Sequence, residues 1–485
     1  MAANVTGDAL FAHCHHGAQA DRPARHCTSI FAKLDLPPSE TGNPRNGDTQ
    51  AVDAQPAERP WFANPRARSW TCATAEQVRS GKVRAFHAGL PGYAPTPLTE
   101  VPALAAELGV GRVFVKDESD RIGLPAFKVL GASWAVRQLL ASDPRGPGGG
   151  DPGLAGMRTL AAGRPGLAFA TATDGNHGRA VARMARLVGV PAHVFVPTFT
   201  RPPVIAAIEG EGARVTQVAG SYDEAVAAAA QWARDHRGAE LVQDTAWPDY
   251  QQVPGWIAEG YSTLFAETDT QLADAGAAPP ALVVVPVGVG SLAQAAVAHY
   301  RAQDPFPARE PSAQPTAQEP GARPAVQEPG AQHATALLAV EPDTAACLLA
   351  SLRAGTPVSV PNPGTIMAGL NCGTVSTIAW PCLSAGLDGA VAVSDAEADQ
   401  GVADLTAAGI SAGPSGAASL AGARAALTGP DSANRRAVLA AGPTAVVVLL
   451  STEAAVSLEP ESRFSHQPLS ADVAGQRAEP RRGEV

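Results

Sequence analysis

Short, uninterrupted apolar runs that alternate with segments of helical spacing constrain this chain more than any other feature. Arg112-Val113-Phe114-Val115-Lys116 is β-rich, and residues 128–140 follow it with apolar side chains on a helical period. Leu167-Ala168-Phe169-Ala170-Thr171 precedes a helix marked by Val181, Met184, Ala185 and Val188. His193-Val194-Phe195-Val196-Pro197 is a further strand, and Arg214-Val215-Thr216-Gln217-Val218 leads into an Ala-rich helix that reaches Ala233. The pattern resumes at Leu282-Val283-Val284-Val285-Pro286 and Ala336-Leu337-Leu338-Ala339-Val340, and closes with Ala445-Val446-Val447-Val448-Leu449-Leu450. A run with no polar face must be covered on both sides, the condition of parallel strands wrapped by helices. The expected fold class is therefore α/β, with twisted, mostly parallel sheets in two lobes. In such sheets ligands sit at the carboxyl ends of the strands.

The 485 residues are 45% hydrophobic and 17% charged, enough to bury one large core or two and unlike a disordered or fibrous chain. A net charge of -10 with no Lys/Arg stripe argues against a nucleic-acid partner. No apolar stretch approaches a membrane span, and the N-terminus lacks a basic region followed by an apolar core, so the expectation is no membrane and a cytoplasmic location. Residues 1–58 are polar, Pro-rich and aperiodic, and read as a disordered extension; residues 303–335 repeat Gln-Glu-Pro-Gly-Ala and read as a low-complexity insertion. A smaller Gly-rich loop holds Gly148-Gly149-Gly150, and residues 459–485 form a polar tail. Residues 59–138 and 248–458 are expected to form the larger lobe and residues 139–247 the smaller.

Cys14, Cys27, Cys72, Cys347, Cys372 and Cys382 show no C-x-x-C pairing, so neither a zinc nor a disulfide framework is indicated. His13-Cys14-His15-His16 with His26-Cys27 has soft-metal ligands but no ordered element around it, and no metal is expected. Cys347 and Cys372 flank a strand-end region, which leaves a labile disulfide open, against the rule that cytosolic thiols stay reduced.

Lys128 opens an apolar helix in Ala126-Phe127-Lys128-Val129-Leu130-Gly131-Ala132, and farther on comes Thr173-Asp174-Gly175-Asn176-His177-Gly178. A lysine at such a place can simply lay its stem along apolar surface with its charge in water. An amine that attacks an aldehyde instead needs its ammonium destabilised by burial, an anion cradle and polar groups to hold a ring. Val287-Gly288-Val289-Gly290-Ser291-Leu292 supplies the cradle in form: glycines let amides approach an anion, and the helix behind adds its positive dipole end. It is neither G-x-G-x-x-G nor a P-loop, which weakens dinucleotide and ATP readings.

Phe127-Lys128, Asp174-Gly175-Asn176-His177-Gly178, the loop from Gly288 to Leu292 and a last strand ending at Ser451 resemble, in the same order, the fold type II pyridoxal-phosphate enzymes. Gln243-Asp244-Thr245-Ala246-Trp247, Val253-Pro254-Gly255-Trp256-Ile257-Ala258-Glu259-Gly260-Tyr261, Glu341-Pro342-Asp343 and Thr365-Ile366-Met367-Ala368-Gly369-Leu370 resemble the diaminopropionate ammonia-lyases more closely. The likeness runs over about residues 60–455. It implies a two-domain architecture with pyridoxal 5'-phosphate between the domains, a small amino-acid substrate and a homodimer.

By this resemblance Lys128 carries the cofactor and Asn176 holds the ring-hydroxyl side. Gly288, Val289, Gly290, Ser291 and Leu292 line the phosphate, and Ser451 faces the pyridine nitrogen. Lys116 is the alternative lysine. Asp174 departs from threonine and serine dehydratases, which usually carry a small neutral residue there; a carboxylate would attract a β-ammonium. Asp244 offers a second acid, and with Lys128 opposite a carboxylate, α-protons of either hand become removable. The implied reaction is elimination of ammonia from 2,3-diaminopropionate to give pyruvate and ammonia. Alternatives are a serine or threonine dehydratase or another β-eliminating amino-acid lyase, and a non-catalytic sensor of the cofactor or an amino acid. One mismatch stands out: where these lyases tend to show Gly-Glu-Ser-Gly, this chain has Gly413-Pro414-Ser415-Gly416.

Overall fold

The computed structural model describes residues 60–67, 69, 81–142, 152–302 and 335–455. By its contacts the chain separates into Met1–Ala57 and Glu58–Val485, and every element below belongs to the second unit. The expected N-terminal extension and C-terminal tail lie outside the described residues, as do the 303–335 insertion apart from Thr335, Gly148-Gly149-Gly150, and Cys14, Cys27 and Cys72 with the neighbouring histidines.

The strands are β1 (Trp61–Ala63), β2 (Leu98–Glu100), β3 (Arg112–Asp117), β4 (Ala168–Ala172), β5 (Ala192–Pro197), β6 (Arg214–Val218), β7 (Ala239–Leu241), β8 (Leu282–Pro286), β9 (Ala336–Pro342), β10 (Gly389–Val393) and β11 (Val446–Ser451). A seven-stranded sheet runs β1-β10-β9-β8-β11-β3-β2 and a four-stranded sheet runs β6-β5-β4-β7. The edge strands β1 and β2 pair antiparallel, with β10 and β3; every other pairing is parallel. In the larger sheet Val448 stands between Val283 and Phe114; in the smaller, Ala170 stands between His193 and Leu241.

The apolar runs serve two faces at once because successive strand side chains point to opposite sides. Val283, Val285, Phe114, Val448 and Leu450 pack into one core, while Leu282, Val284, Val113, Val115, Val447 and Leu449 pack into another. The first core continues into the smaller sheet through Phe169, Val194 and Val196. The helix Lys128–Ala141 lies in that shared core and buries Val129, Leu130, Trp134, Val136 and Leu140. Each such side chain contributes about 1.5–3 kcal/mol of burial, so the element carrying Lys128 is anchored over its length.

A pair of glycines sets how closely that helix meets the helix Gln252–Gly260. A Cβ on Gly131 would stand 2.6 Å from Tyr261 Cε1 and 2.8 Å from the Ile257 carbonyl oxygen, and one on Gly260 would stand 2.6 Å from the Leu130 carbonyl oxygen. Only hydrogen fits at both places, and the Tyr261 ring is thereby seated against the first turn of the Lys128 helix.

Candidate active site

The Lys128 helix, Asp174, Asp244, the loop from Gly288 and Ser451 follow or end β3, β4, β7, β8 and β11, at the carboxyl ends where a parallel sheet leaves a crevice, whereas residues 253–261 lie on helical chain and residues 365–370 follow the helix Cys347–Ala354. Lys128 opens its helix after β3, by way of a tight turn in which Arg121 and Leu124 bridge. Ile122 holds φ of 56° in that turn, a left-handed conformation that costs a β-branched residue about 1–3 kcal/mol. Arg183 fixes it by donating from Nη1 to the Ile122 carbonyl at 2.9 Å.

The Lys128 ammonium donates to Asp244 Oδ2 at 2.7 Å, with 20% of the lysine side chain and 6% of the aspartate side chain exposed. Burial pushes the amine's pKa down, but the Asp244 carboxylate outweighs it and holds the amine above its ordinary value. This reverses the expectation that burial would destabilise the ammonium: a buried amine is discharged only if no anion meets it, and here one does. Burial also pushes the Asp244 carboxyl up, yet the Lys128 ammonium brings it well below the usual carboxylate range.

Asp244 is fixed on its other oxygen. Tyr222 and Gln243 donate to Oδ1 at 3.3 and 3.1 Å, and Gln243 also donates to the Tyr222 hydroxyl at 2.7 Å. Tyr222 opens the helix Tyr222–Asp235, whose Ser221–Glu224 capping box sets the start beyond β6. The sequence reading missed Tyr222; its signal was that capping box at a strand's carboxyl end. His177, 3% exposed, approaches Asp244 Oδ2 with Nδ1 at 3.9 Å, while its Nε2 lies 2.8 Å from the Val242 carbonyl. The carbonyl can only accept, so Nε2 carries the hydrogen and burial keeps the ring neutral, its pKa lowered.

Asp174 follows β4, in the turn before the helix Asn176–Val188. Burial first, then the Asp244 charge, push its carboxyl up to about 7, against a lowering by Lys128. Asn176 donates through Nδ2 to Glu453 Oε2 at 2.7 Å, and Ser415 donates its backbone N–H to Glu453 Oε1 at 3.2 Å. Glu453, also missed in the sequence, stands two residues beyond Ser451. Gly413-Pro414-Ser415-Gly416 contains no acid, but the Glu453 carboxylate lies directly against it from the end of β11.

Pyridoxal phosphate requires an attacking amine, an anion cradle and partners for its ring, and the residues present fit it. Gly288 and Val289 form the turn after β8, Gly290 holds φ of 104°, and Ser291 and Leu292 open the helix Ser291–Ala302, whose first-turn amides have no intrahelical acceptor. A Cβ on Gly290 would stand 2.8 Å from Leu383 Cδ1, so glycine is required there for backbone shape and packing as well as for approach to an anion. The Ser291 hydroxyl donates to the Asp244 carbonyl at 3.1 Å and ties the cradle to the acid. Ser451 ends β11 with its Oγ fully buried and without a hydrogen-bond partner among the described residues, an orphaned polar atom of the kind that a ligand atom can satisfy. Cys372 flanks Gly288, its thiol pKa raised by burial; Cys347 and Cys372 are separate free thiols. Among the described residues no cluster of His, Cys, Asp and Glu has the form of a metal site.

Residues 90–449 match the family described as pyridoxal-phosphate dependent enzyme, and the chain belongs to it. The diaminopropionate ammonia-lyase of Salmonella typhimurium is 34% identical over 336 residues, 66% of this chain and 74% of that protein. The diaminopropionate ammonia-lyase of Escherichia coli K12 is 35% identical over 318 residues, 63% and 70% of the two chains. The crystal structure of the Escherichia coli lyase in complex with an aminoacrylate-PLP azomethine reaction intermediate is similar with a TM-score of 0.67 at 31% identity, covering 81% of this chain and 93% of that one. Within the pyridoxal-phosphate enzymes, this chain is therefore a member of the diaminopropionate ammonia-lyase family.

Proposed function

We propose that this protein eliminates ammonia from 2,3-diaminopropionate, the remaining enamine taking up water to give pyruvate and a second ammonia. The observation that carries the reading is the Lys128–Asp244 pair at 2.7 Å, with the Asp174 carboxyl within electrostatic reach of both. Pyridoxal phosphate, when bound, supplies an aldehyde for the Lys128 amine and an electron-withdrawing ring that stabilises negative charge at the substrate α-carbon. Lys128, Asn176, Ser451 and the amides from Gly288 to Leu292 are the residues that hold it.

The chain's own groups divide the remaining work. Lys128 is the base on one side of the α-carbon, and Asp244 stabilises its ammonium once a proton arrives. Asp174, when ionised, holds a β-ammonium through a charge-assisted hydrogen bond of about 1.5–3 kcal/mol. Its carboxyl at about 7 both gives and takes a proton near neutrality. The hydroxyl of Ser451 is a weaker partner for a ring nitrogen than a carboxylate, which favours prompt loss of the leaving group over a long-lived carbanion.

In this reading residues 139–247 form the smaller lobe and bring Asp174, Asn176 and Asp244 to the amine of the larger one. A cytoplasmic homodimer accompanies it, supported by the family resemblance and, for the compartment, by the free thiols of Cys347, Cys372 and Cys382. No helix among the described residues is long and apolar enough to cross a membrane.

The test is turnover of D- and L-diaminopropionate, serine and threonine by the purified holoenzyme. The proposal expects twice as much ammonia as pyruvate from diaminopropionate, and faster than from either hydroxy amino acid. Release from serine or threonine with none from diaminopropionate would overturn it.

A further inference from the structure

Tyr261 is wholly buried, and its hydroxyl has no hydrogen-bond partner among the described residues. A buried hydroxyl left unpaired costs a fold of this kind free energy that phenylalanine would not, so its retention calls for a reason. The surroundings supply one. The ring meets Phe127 edge-on at 4.7 Å between centroids and lies against Gly131, so it is packed on the two sides of Lys128 in sequence. Gly131 and Gly260 are the residues whose missing side chains permit that approach. The Lys128 ammonium stands 5.7 Å from the centroid of the same Phe127 ring, so amine and phenol share that neighbour, and Lys128 and Asp244 are the charged groups that act on the phenol.

We propose that Tyr261 is a positioning residue for the Lys128 amine, a second resting place that the amine occupies when it is not paired with Asp244. The inference rests on the reading of Lys128 as the working amine. The chemistry of the two partners differs. A carboxylate accepts hydrogen bonds only and so favours the ammonium over the neutral amine, whereas a phenol accepts from an ammonium and donates to the lone pair of a neutral amine. An amine that must alternate between carrying and lacking a proton needs a partner of the second kind. The seating against Gly131 holds that partner at a fixed place on the helix, independent of motion in the smaller lobe.

The test is Tyr261→Phe, assayed as holoenzyme. It should fold and bind the cofactor with undiminished thermal stability, since no protein partner of the hydroxyl is lost. Turnover should fall by up to about 10²-fold, with KM little changed, as a misplaced reacting group would cause. The pH profile and the pH titration of the cofactor's visible absorbance should both shift by roughly one unit. The other titratable groups around Lys128, namely Asp174, Asp244, His177, Cys372 and Glu453, remain in place in this variant. A second protein with fluorotyrosine at position 261, which keeps the ring and acidifies the hydroxyl, should shift the same titration without loss of fold. Parent turnover with an unmoved titration in either protein overturns the inference while leaving the elimination reading intact. A parent enzyme with no turnover of diaminopropionate overturns both.

Discussion

Lys116 and Lys128 stand twelve residues apart, both withdrawn from solvent and both held by a carboxylate, yet their surroundings are opposite in kind. The Lys116 ammonium spends all three of its hydrogens, on the Thr96 carbonyl at 2.8 Å, Glu267 Oε2 at 2.9 Å and Gln271 Oε1 at 2.8 Å. Glu267 also receives Arg121 at 2.7 Å on each oxygen and the Tyr93 hydroxyl at 2.7 Å, while Glu118 takes Arg121 and the Thr96 hydroxyl. Lys116, Glu118, Arg121, Glu267 and Thr96 of that cluster are all buried. Around Lys128 the bonding is incomplete: its ammonium makes one hydrogen bond, to Asp244, and the Tyr261 hydroxyl, His177 Nδ1 and Ser451 Oγ are buried and unpaired among the described residues. A closed polar network holds a fold; an open one awaits a ligand. The two are joined at Arg121, which belongs to the closed cluster and to the turn that delivers Lys128.

The largest expected effect comes from exchanging the two lysines as targets. Lys128→Ala should abolish turnover and the cofactor's visible absorbance, with a loss of stability confined to its single pair with Asp244. Lys116→Met should do the reverse: breaking a buried pair costs about 3–5 kcal/mol, read as a lowered denaturant midpoint, while the protein still folded keeps its cofactor. Loss of cofactor in a folded Lys116→Met protein would collapse the distinction.

Next in size are the acids. Asp174→Asn and Asp244→Asn keep shape and remove charge, and each should lower turnover by about 10²- to 10⁴-fold, unequally for the D and L isomers. Visible absorbance should persist in both. Parent rates on both isomers would make these acids part of the scaffold, like Glu267.

The pH dependence should be smaller and of opposite sign at the two acids. Asp174 has its folded value raised to about 7, so the folded state binds the proton more tightly than the unfolded one. Its contribution to stability is therefore greatest below the ordinary carboxylate value and is lost as pH rises towards 7. Asp244 is depressed by Lys128, so its contribution is present above the ordinary value and disappears as pH falls below it. Urea titrations of the cofactor-free proteins across acidic pH should show Asp174→Asn losing the first dependence and Asp244→Asn the second. The smallest effect is expected from Glu453→Gln, which keeps one acceptor where Asn176 and Ser415 now share two. Cofactor affinity should weaken by about tenfold or less, in keeping with a hydrogen bond of about 1 kcal/mol.

Sequence pattern made the central strands legible because they are buried on both faces: β3, β5, β8 and β11 carry uninterrupted runs of Val, Leu or Phe, and β9 opens as Ala-Leu-Leu-Ala-Val. The strands it did not reveal are β1, β2, β7 and β10. The first three have three residues each, and β10 is Gly-Ala-Val-Ala-Val, small residues that carry weak periodicity. Lys128, Asn176, the cradle and Asp244 were legible as ordered local motifs. Glu453 was not, because its role depends on Asn176, 277 residues away, and no local signal marks it beyond its place after a buried strand. Tyr261 stood inside a recognised motif without a role, which only its unpaired hydroxyl and its contact with Gly131 supply. The charge state of Lys128 was inferred from burial alone and came out reversed, since a partner distant in sequence decides it.

The most direct measurement of the account is the identity of the lysine that carries the cofactor. Borohydride reduction of the holoenzyme, followed by proteolysis and mass mapping, should place the pyridoxyl group on the peptide containing Phe127-Lys128-Val129, with Lys116 unmodified. A pyridoxyl group on Lys116, or on any lysine other than Lys128, would contradict the assignment of the open site as the catalytic one.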